Sequence, residues 1–211
     1  MQNFQQKTGV PIRLGYGMSE LLLIAINKSL REDKMTSVGK PAKNVQIKLL
    51  DAEGKPVALG AMGEVWVQGN NCMIGYWHDA AETAKAIVNG WLRTGDLARC
   101  DADGYYWIVG RIKQMIIRGG DNIAPLEVEE VLASHPAVKV AAVIAVPDPI
   151  EGEVPKAFVE LKAGRTVHEN QLLAFLHERL EDYKVPVTII VLDALPRTPT
   201  GKIAREELKK Y

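Results

Sequence analysis

Two hydrophobic rhythms divide the chain. In the first half apolar residues fall at every second position: Val45, Ile47 and Leu49, then Val65 and Val67 in GEVWVQG. That period predicts half-buried strands. Gly-containing turns punctuate them, with DAEG (51–54) and DADG (101–104) as hairpin tips. Ile12 and Leu14 predict a strand leading into the turn GYGMSE, and residues 81–88 predict a short helix.

From about Arg111 the rhythm changes to α/β alternation. QMIIRG reads as a strand ending at Gly119-Gly120, and Pro125 opens a helix running to His135, since proline suits a first helical turn. KVAAVIAV and KAFVELK read as strands joined by PDPIEGEVP, hence antiparallel. Thr166-Val-His-Glu169 offers a capping box for a helix carrying Leu172, Leu173, Leu176 and Leu180 on one face. Residues 187–191 predict a last strand, followed by the loop PRTPTGK and a helix. The fold class is therefore mixed α+β: a mainly β subdomain over 1–110, distorted and barrel-like, then a small α+β domain over 111–211.

Bulk properties narrow the partners. The chain has 211 residues, 47% apolar and 25% charged, and its 26 basic and 26 acidic residues cancel. That balance points away from a nucleic-acid surface. The longest uninterrupted apolar run, residues 140–146, is too short for a bilayer, and MQNFQQKTGV lacks the layout of a signal peptide. Two cysteines, Cys72 and Cys100, argue for a reducing compartment, and four scattered histidines make no metal-ligand spacing. A cytoplasmic protein without a structural metal is expected. DADG has too short an acidic spacing for a calcium loop.

Three segments and one loop carry candidate chemistry. In GYGMSE (15–20), Gly15 and Gly17 allow close backbone approach, while Ser19 and Glu20 set a hydroxyl beside a carboxylate, a pair suited to a phosphate oxygen and its Mg²⁺. The segment fits neither a dinucleotide fingerprint nor a hydrolase elbow, and reads almost equally as a structural turn. In GWLRTGDL, Asp96 could accept both hydroxyls of a ribose, or equally cap a turn. GRIKQMIIRGGDNIAPLEVE joins the two regions, with Arg111 and Lys113 placed for an exposed hinge and Gly119-Gly120 forming a surface free of side chains. Lys202, in PRTPTGKIAREEL, reads alone as a solvated surface lysine.

In this order the four segments resemble the adenylate-forming (AMP-binding) superfamily, and within it the acyl-CoA synthetases. SVGKP (37–41), GYW (75–77), HPAV (135–138), PDPIEGEVPKAFV (147–159) and YKVP (183–186) extend the resemblance across nearly the whole chain. It implies a two-step reaction. A carboxylate attacks the α-phosphate of ATP to give an acyl-adenylate and pyrophosphate; the thiol of coenzyme A then displaces AMP. The small domain rotates between the steps.

Carried over by motif, Tyr16 would pack against adenine, with Gly17 beside it in the nucleotide site. Ser19 would bind the α-phosphate and Glu20 would hold Mg²⁺. Asp96, assisted by Arg111, would grip the ribose. Lys113 would be the hinge, Gly119 and Gly120 would line the pantetheine path, and Lys202 would bridge carboxylate and α-phosphate. A positioned cation there offsets the repulsion of two anions, an effect typically worth about 3 kcal/mol in a dry site.

Serine replaces the family's more usual threonine at position 19, and Gln114 replaces a common acidic residue after the hinge. The Ser/Thr/Gly-rich loop ending in Pro-Lys-Gly, which wraps the β- and γ-phosphates in that family, is not in this sequence, nor is the upstream portion that forms most of the acyl pocket. The expectation is thus a C-terminal part of a synthetase, inactive in adenylation by itself and possessing a partner in the missing N-terminal portion. A non-catalytic nucleotide- or partner-binding module, or part of a carrier-protein-loading or luciferase-like enzyme, are the alternatives. GGDNIAP and PDPIEGE favour the CoA-using branch.

Overall fold

The period-2 stretches fold as antiparallel strands, and the chain divides into two units, Met1–Ile112 and Lys113–Tyr211, each with its own apolar core. The computed structural model describes residues 2–211.

In the first unit α1 (Gln2–Thr8) precedes β1 (Gly15–Met18) and β2 (Leu21–Ile26), an antiparallel hairpin extended by β3 (Lys40–Pro41). β4 (Val45–Leu50), β5 (Gly63–Gly69), α2 (Ala80–Ala86), β6 (Ile87–Val88), β7 (Trp91–Cys100) and β8 (Tyr106–Arg111) follow. Their strands form a second sheet in the order β4-β5-β7-β6, with β8 also on β7. The mixed class with mostly β structure is as the sequence predicts. The strands nevertheless make two open sheets, not a barrel: β3 and β6, two residues each, end the sheets instead of extending them to closure. The fully buried Leu21, Ile24, Val65, Val67 and Leu92 form the core of this unit.

Two local expectations are corrected here and a third holds. Ile12 and Leu14 belong to no strand; the strand is Gly15–Met18 itself, so Ser19-Glu20 is a hairpin tip between Met18 and Leu21. The helix expected over 81–88 stops at Ala86, because Asn89 and Gly90, both at positive φ, make a tight turn that pairs Ile87 and Val88 with Leu92 and Trp91. An Asn-Gly pair between apolar residues is a strong hairpin signal, and it overrides the helical reading. DADG is a hairpin tip, as its sequence suggests, with Asp101 and Asp103 held on the buried Lys34.

The second unit runs β9 (Ile116–Arg118), β10 (Asp121–Ile123), α3 (Pro125–Ser134), β11 (Val138–Asp148), β12 (Gly152–Leu161), α4 (Glu169–His177), β13 (Thr188–Leu192) and α5 (Arg205–Leu208). QMIIRG does not simply end at the glycines; it turns there into β10. β11 and β12 pair antiparallel over nearly their whole length, and β13 lies parallel on the other side of β12.

Both faces of this sheet are covered, which explains the continuous apolar run in β11. Ala141, Val143, Ala157 and Val159 face Val128 and Leu132 of α3 and Leu172 and Leu176 of α4. The alternate residues Ala142, Ile144 and Phe158 face Leu195, Ile203 and Leu208 of the C-terminal segment. Pro125 starts α3, while the cap of α4 lies two residues later than the expected box: His168 is the cap, its N–H donating to Gln171 Oε1 at 2.9 Å. Among the described residues no helix is long and apolar enough to cross a membrane.

Candidate functional site

In the first unit the chemistry gathers around Asp96. On β7 four steps (93 to 97) lie opposite two on β5 (66 to 64), so Thr94-Gly95-Asp96 bulges from the ladder, with Gly95 at φ +69°. The Thr94 hydroxyl donates to Val65 O (2.8 Å) and accepts from the Asp96 N–H (3.0 Å), fixing the bulge. Asp96 sits opposite Arg111 across β7 and β8, and Arg111 Nε lies 2.8 Å from its Oδ1. The Tyr16 hydroxyl of β1 donates to Oδ2 at 2.5 Å. Asp96 is only 3% exposed, so this is a buried carboxylate held from two sides. Burial first, and then the hydrogen bond to Asp96, pushes the Tyr16 phenol well above its usual range, so it stays a donor.

Gly17, on the same strand, has a packing reason to be glycine. A Cβ there would stand 2.1 Å from the carbonyl oxygen of Leu22 on the facing strand. Two steps on β1 (16 to 18) lie opposite four on β2 (25 to 21), and the bulged backbone presses against the glycine.

Ser19 is exposed at the hairpin tip, and Glu20 is half-buried beside it. The Tyr76 hydroxyl donates to Glu20 Oε1 at 2.8 Å, and the Met73 N–H donates to the Glu20 carbonyl at 2.7 Å. The bond to Glu20 raises the Tyr76 phenol. Thus GYW, a minor match in the sequence, supports the acidic residue of GYGMSE directly. As a Mg²⁺ donor set, Glu20 fits: it is a hard carboxylate oriented by one bond through Oε1, with Oε2 left over. Among the described residues no group of three or more His, Cys, Asp and Glu is arranged as a metal cage.

In the second unit Gly119 and Gly120 form the two-residue tip between β9 and β10, at φ +58° and +99°. Nothing lies within 4 Å of a Cβ built on either, so the turn conformation and not crowding favours glycine here. The Gly119 N–H donates to Glu151 O at 2.8 Å. Arg118, which the sequence reading passed over, braces the tip. Its guanidinium pairs with both Glu151 oxygens and donates to the carbonyls of Tyr183 (3.0 Å) and Val185 (3.4 Å). One arginine therefore joins GGDN, PDPIEGE and YKVP. Lys113 is exposed and begins the second unit.

Lys202 lies in a compact loop. Thr198 N–H donates to Lys202 O (2.7 Å), Gly201 N–H to Thr198 O (2.8 Å), and Arg197 Nη1 to Gly201 O (3.1 Å). The Lys202 side chain is exposed, while Ile203 beside it is packed into the core. Three residues on, Arg205 makes a bidentate pair with Glu129 of α3. The expected surface lysine is therefore a surface lysine on a tightly tied frame.

The structure brings Tyr16, Asp96 and Arg111 together. Glu20 meets Tyr76 instead, and Gly119, Gly120, Lys113 and Lys202 belong to the second unit. Thr94, Tyr76, Arg118 and Glu129 escaped the sequence reading because their partners lie tens of residues away. The charges at Arg118 and Glu151 were visible, but not their pairing.

Comparison with known proteins gives a consistent picture. The family model described as "AMP-binding enzyme" matches residues 1–77, and that described as "AMP-binding enzyme C-terminal domain" matches residues 127–202. A feruloyl-CoA synthase from an Amycolatopsis species is 41% identical over 204 residues, covering 96% of this chain and 42% of that protein. A 2-succinylbenzoate–CoA ligase of Geobacillus kaustophilus is 42% identical over 209 residues, covering 97% and 42%. The chain thus spans about four-tenths of the length of the curated relatives it matches.

Among solved structures, the amide bond synthetase McbA from Marinactinospora thermotolerans superposes with TM-score 0.91 at 34% identity, over 98% of this chain and 43% of that one. The o-succinylbenzoate CoA synthetase of Bacillus subtilis, in complex with its acyl-adenylate intermediate, gives 0.89 at 36% identity, over 98% and 43%.

Proposed function

Starting from the fact that this chain belongs to the AMP-binding, adenylate-forming enzymes, we propose that it is the C-terminal part of a cytoplasmic, ATP-dependent acyl-CoA ligase. Residues 1–110 are the last portion of the large AMP-binding domain, and 111–211 the small mobile domain. The reaction is carboxylate plus ATP to acyl-adenylate and pyrophosphate, then thioester formation with coenzyme A and release of AMP.

The observation that carries this reading is the Asp96 carboxylate, buried and held from two sides by the half-exposed Arg111 and by Tyr16. A fixed carboxylate is the acceptor two ribose hydroxyls need, and such charge-assisted bonds are the strong ones. With its hydroxyl committed to Asp96 and one side of its ring packed on the core, Tyr16 offers the exposed part of the ring to adenine. Ser19, exposed beside Glu20, donates to the α-phosphate. A Mg²⁺ ion on Glu20 supplies charge neutralisation for the phosphates. Lys202, on its braced loop, brings its ammonium to the carboxylate and α-phosphate for the first step, then leaves as the small domain pivots at Lys113. Gly119 and Gly120 give the pantetheine arm a surface without side chains in the second. Leu22, Ile74 and Trp77 stand at least 80% exposed in the first unit. Apolar surface of that kind fits coverage by a further portion of the enzyme.

The 211-residue chain alone lacks a triphosphate loop and has no adenylation activity in this account. Calorimetry with AMP and a carboxylate-dependent ATP–pyrophosphate exchange assay test it: AMP binding abolished by Asp96→Ala, without exchange, is expected. Robust exchange by the isolated chain contradicts the reading. AMP binding that is indifferent to Asp96 contradicts it as well.

A further inference from the structure

The Gly119-Gly120 tip is two residues long, exposed, and free of side chains. A turn of that kind opens readily unless something holds it. What holds it is outside the hairpin. Gly152 pairs with Arg118, the Gly119 N–H donates to Glu151 O, and the Ile117 N–H donates to Glu153 Oε2 at 3.0 Å. The Glu151 turn is itself fixed, since Asp148 Oδ1 accepts from the N–H groups of Ile150 and Glu151, each at 2.9 Å. Arg118 then closes the set. It pairs with Glu151 on one side and caps the carbonyls of Tyr183 and Val185, at the end of a short 3₁₀ turn, on the other. Its side chain is 18% exposed and that of Glu151 38%, so the pair is partly shielded from water. A planar guanidinium with a carboxylate on one edge and two carbonyls on the other fixes orientation as well as distance, which lysine cannot do.

We infer that Arg118, through Glu151, is a positioning residue for thioester formation: it holds the Gly119-Gly120 turn in the conformation that receives the pantetheine arm. This rests on the proposed ligase reading. The clamp acts on the second half-reaction alone, because the groups it ties surround the Gly119-Gly120 tip and none belongs to the Asp96 or Glu20 cluster or to the Lys202 loop. Opening it leaves carboxylate adenylation as it was and weakens use of coenzyme A.

Two measurements test this. In the 211-residue chain, amide hydrogen exchange of Gly119, read by NMR, should quicken about tenfold or more in Arg118→Ala, the loss expected when bonds to a charged group are removed. Amides of the β11–β12 ladder should hold, and Glu151→Gln, with shape retained, should show a smaller change in the same direction. Unchanged exchange at Gly119 overturns the clamp.

In the chain fused behind the N-terminal portion of one of the ligases it resembles, Arg118→Ala should raise KM for coenzyme A by about fivefold or more, while pyrophosphate exchange is unchanged. Arg118→Lys should recover only part. Parallel loss of both half-reactions, or loss of neither, overturns the positioning role. A wild-type fusion without any exchange activity counts against the ligase reading instead, and the hydrogen-exchange result then decides the clamp.

Discussion

Glu129 and Arg205, 76 residues apart, close around the free edge of β11. Glu129 accepts from the Val143 N–H at 2.7 Å, Arg205 donates to the Val143 carbonyl at 2.9 Å, and the two side chains pair bidentately between them. The pair satisfies the exposed backbone of an edge strand. It also ties α5 to α3, and so fixes the chain three residues after Lys202.

Breaking that pair should therefore be felt twice. Arg205→Ala leaves a carboxylate that is 8% exposed without its cation, a change typically destabilising by about 3 kcal/mol. Urea denaturation of the 211-residue chain should register it, with AMP binding to the first unit unaltered. In the fused enzyme, adenylation should drop further than thioester formation.

Gly17 and Gly119 should answer the same substitution differently. At Gly17 an alanine Cβ meets a backbone carbonyl at 2.1 Å, which no rotamer can relieve. Gly17→Ala should destabilise by about 2 kcal/mol or more. Gly119→Ala meets nothing within 4 Å and bears only the left-handed conformation at φ +58°, about 1 kcal/mol. Thermal melts of the two variants compare them directly.

Asp96→Asn keeps an acceptor for Tyr16 but removes the charge. AMP affinity should fall about tenfold or more, as a charge-assisted pair becomes a neutral one, with folding nearly unchanged. Asp96→Ala should lose binding and also leave the Tyr16 hydroxyl unsatisfied, a further loss of about 1 to 3 kcal/mol in stability.

His135, in the HPAV stretch, predicts a pH dependence. Its imidazole is lowered from the ordinary value by burial first and by Lys162 and Arg179 second, and its Nδ1 accepts from the Ala137 N–H at 3.2 Å. The folded state therefore holds a neutral ring, while the unfolded chain takes up a proton below about pH 6.5. Stability of the second unit should fall as pH drops from 7 toward the lowered folded value and level off beneath it. His135→Gln should flatten that slope in denaturant midpoints taken between pH 7 and 5.

Much of the architecture was legible because it is written in local pattern. Alternation gave β4 and β5, Pro125 gave the start of α3, and the seven-residue apolar run gave β11. The errors have local causes too. Asn89-Gly90 is a turn signal set against a weak helical reading, and the turn prevails because Ile87 and Val88 gain strand partners. GYGM is a strand despite two glycines because β2 passes close enough to exclude any side chain at Gly17. At the candidate site, Tyr16, Asp96 and Arg111 could be picked out one by one from their motifs. Their meeting, like the pairing of Arg118 with Glu151, depends on strand register and on bulges at Tyr16 and Thr94, which no single stretch of sequence encodes.

In the reading we propose, Lys202 serves adenylation and not thioester formation. It is tested most directly in the fused enzyme by measuring the two half-reactions separately for wild type and Lys202→Ala. One is carboxylate-dependent ATP–pyrophosphate exchange; the other is thioester formation from supplied acyl-adenylate and coenzyme A. The variant should lose exchange by about a hundredfold or more and form thioester at close to the wild-type rate. Equal loss of both half-reactions, or exchange that survives without the lysine, would contradict it.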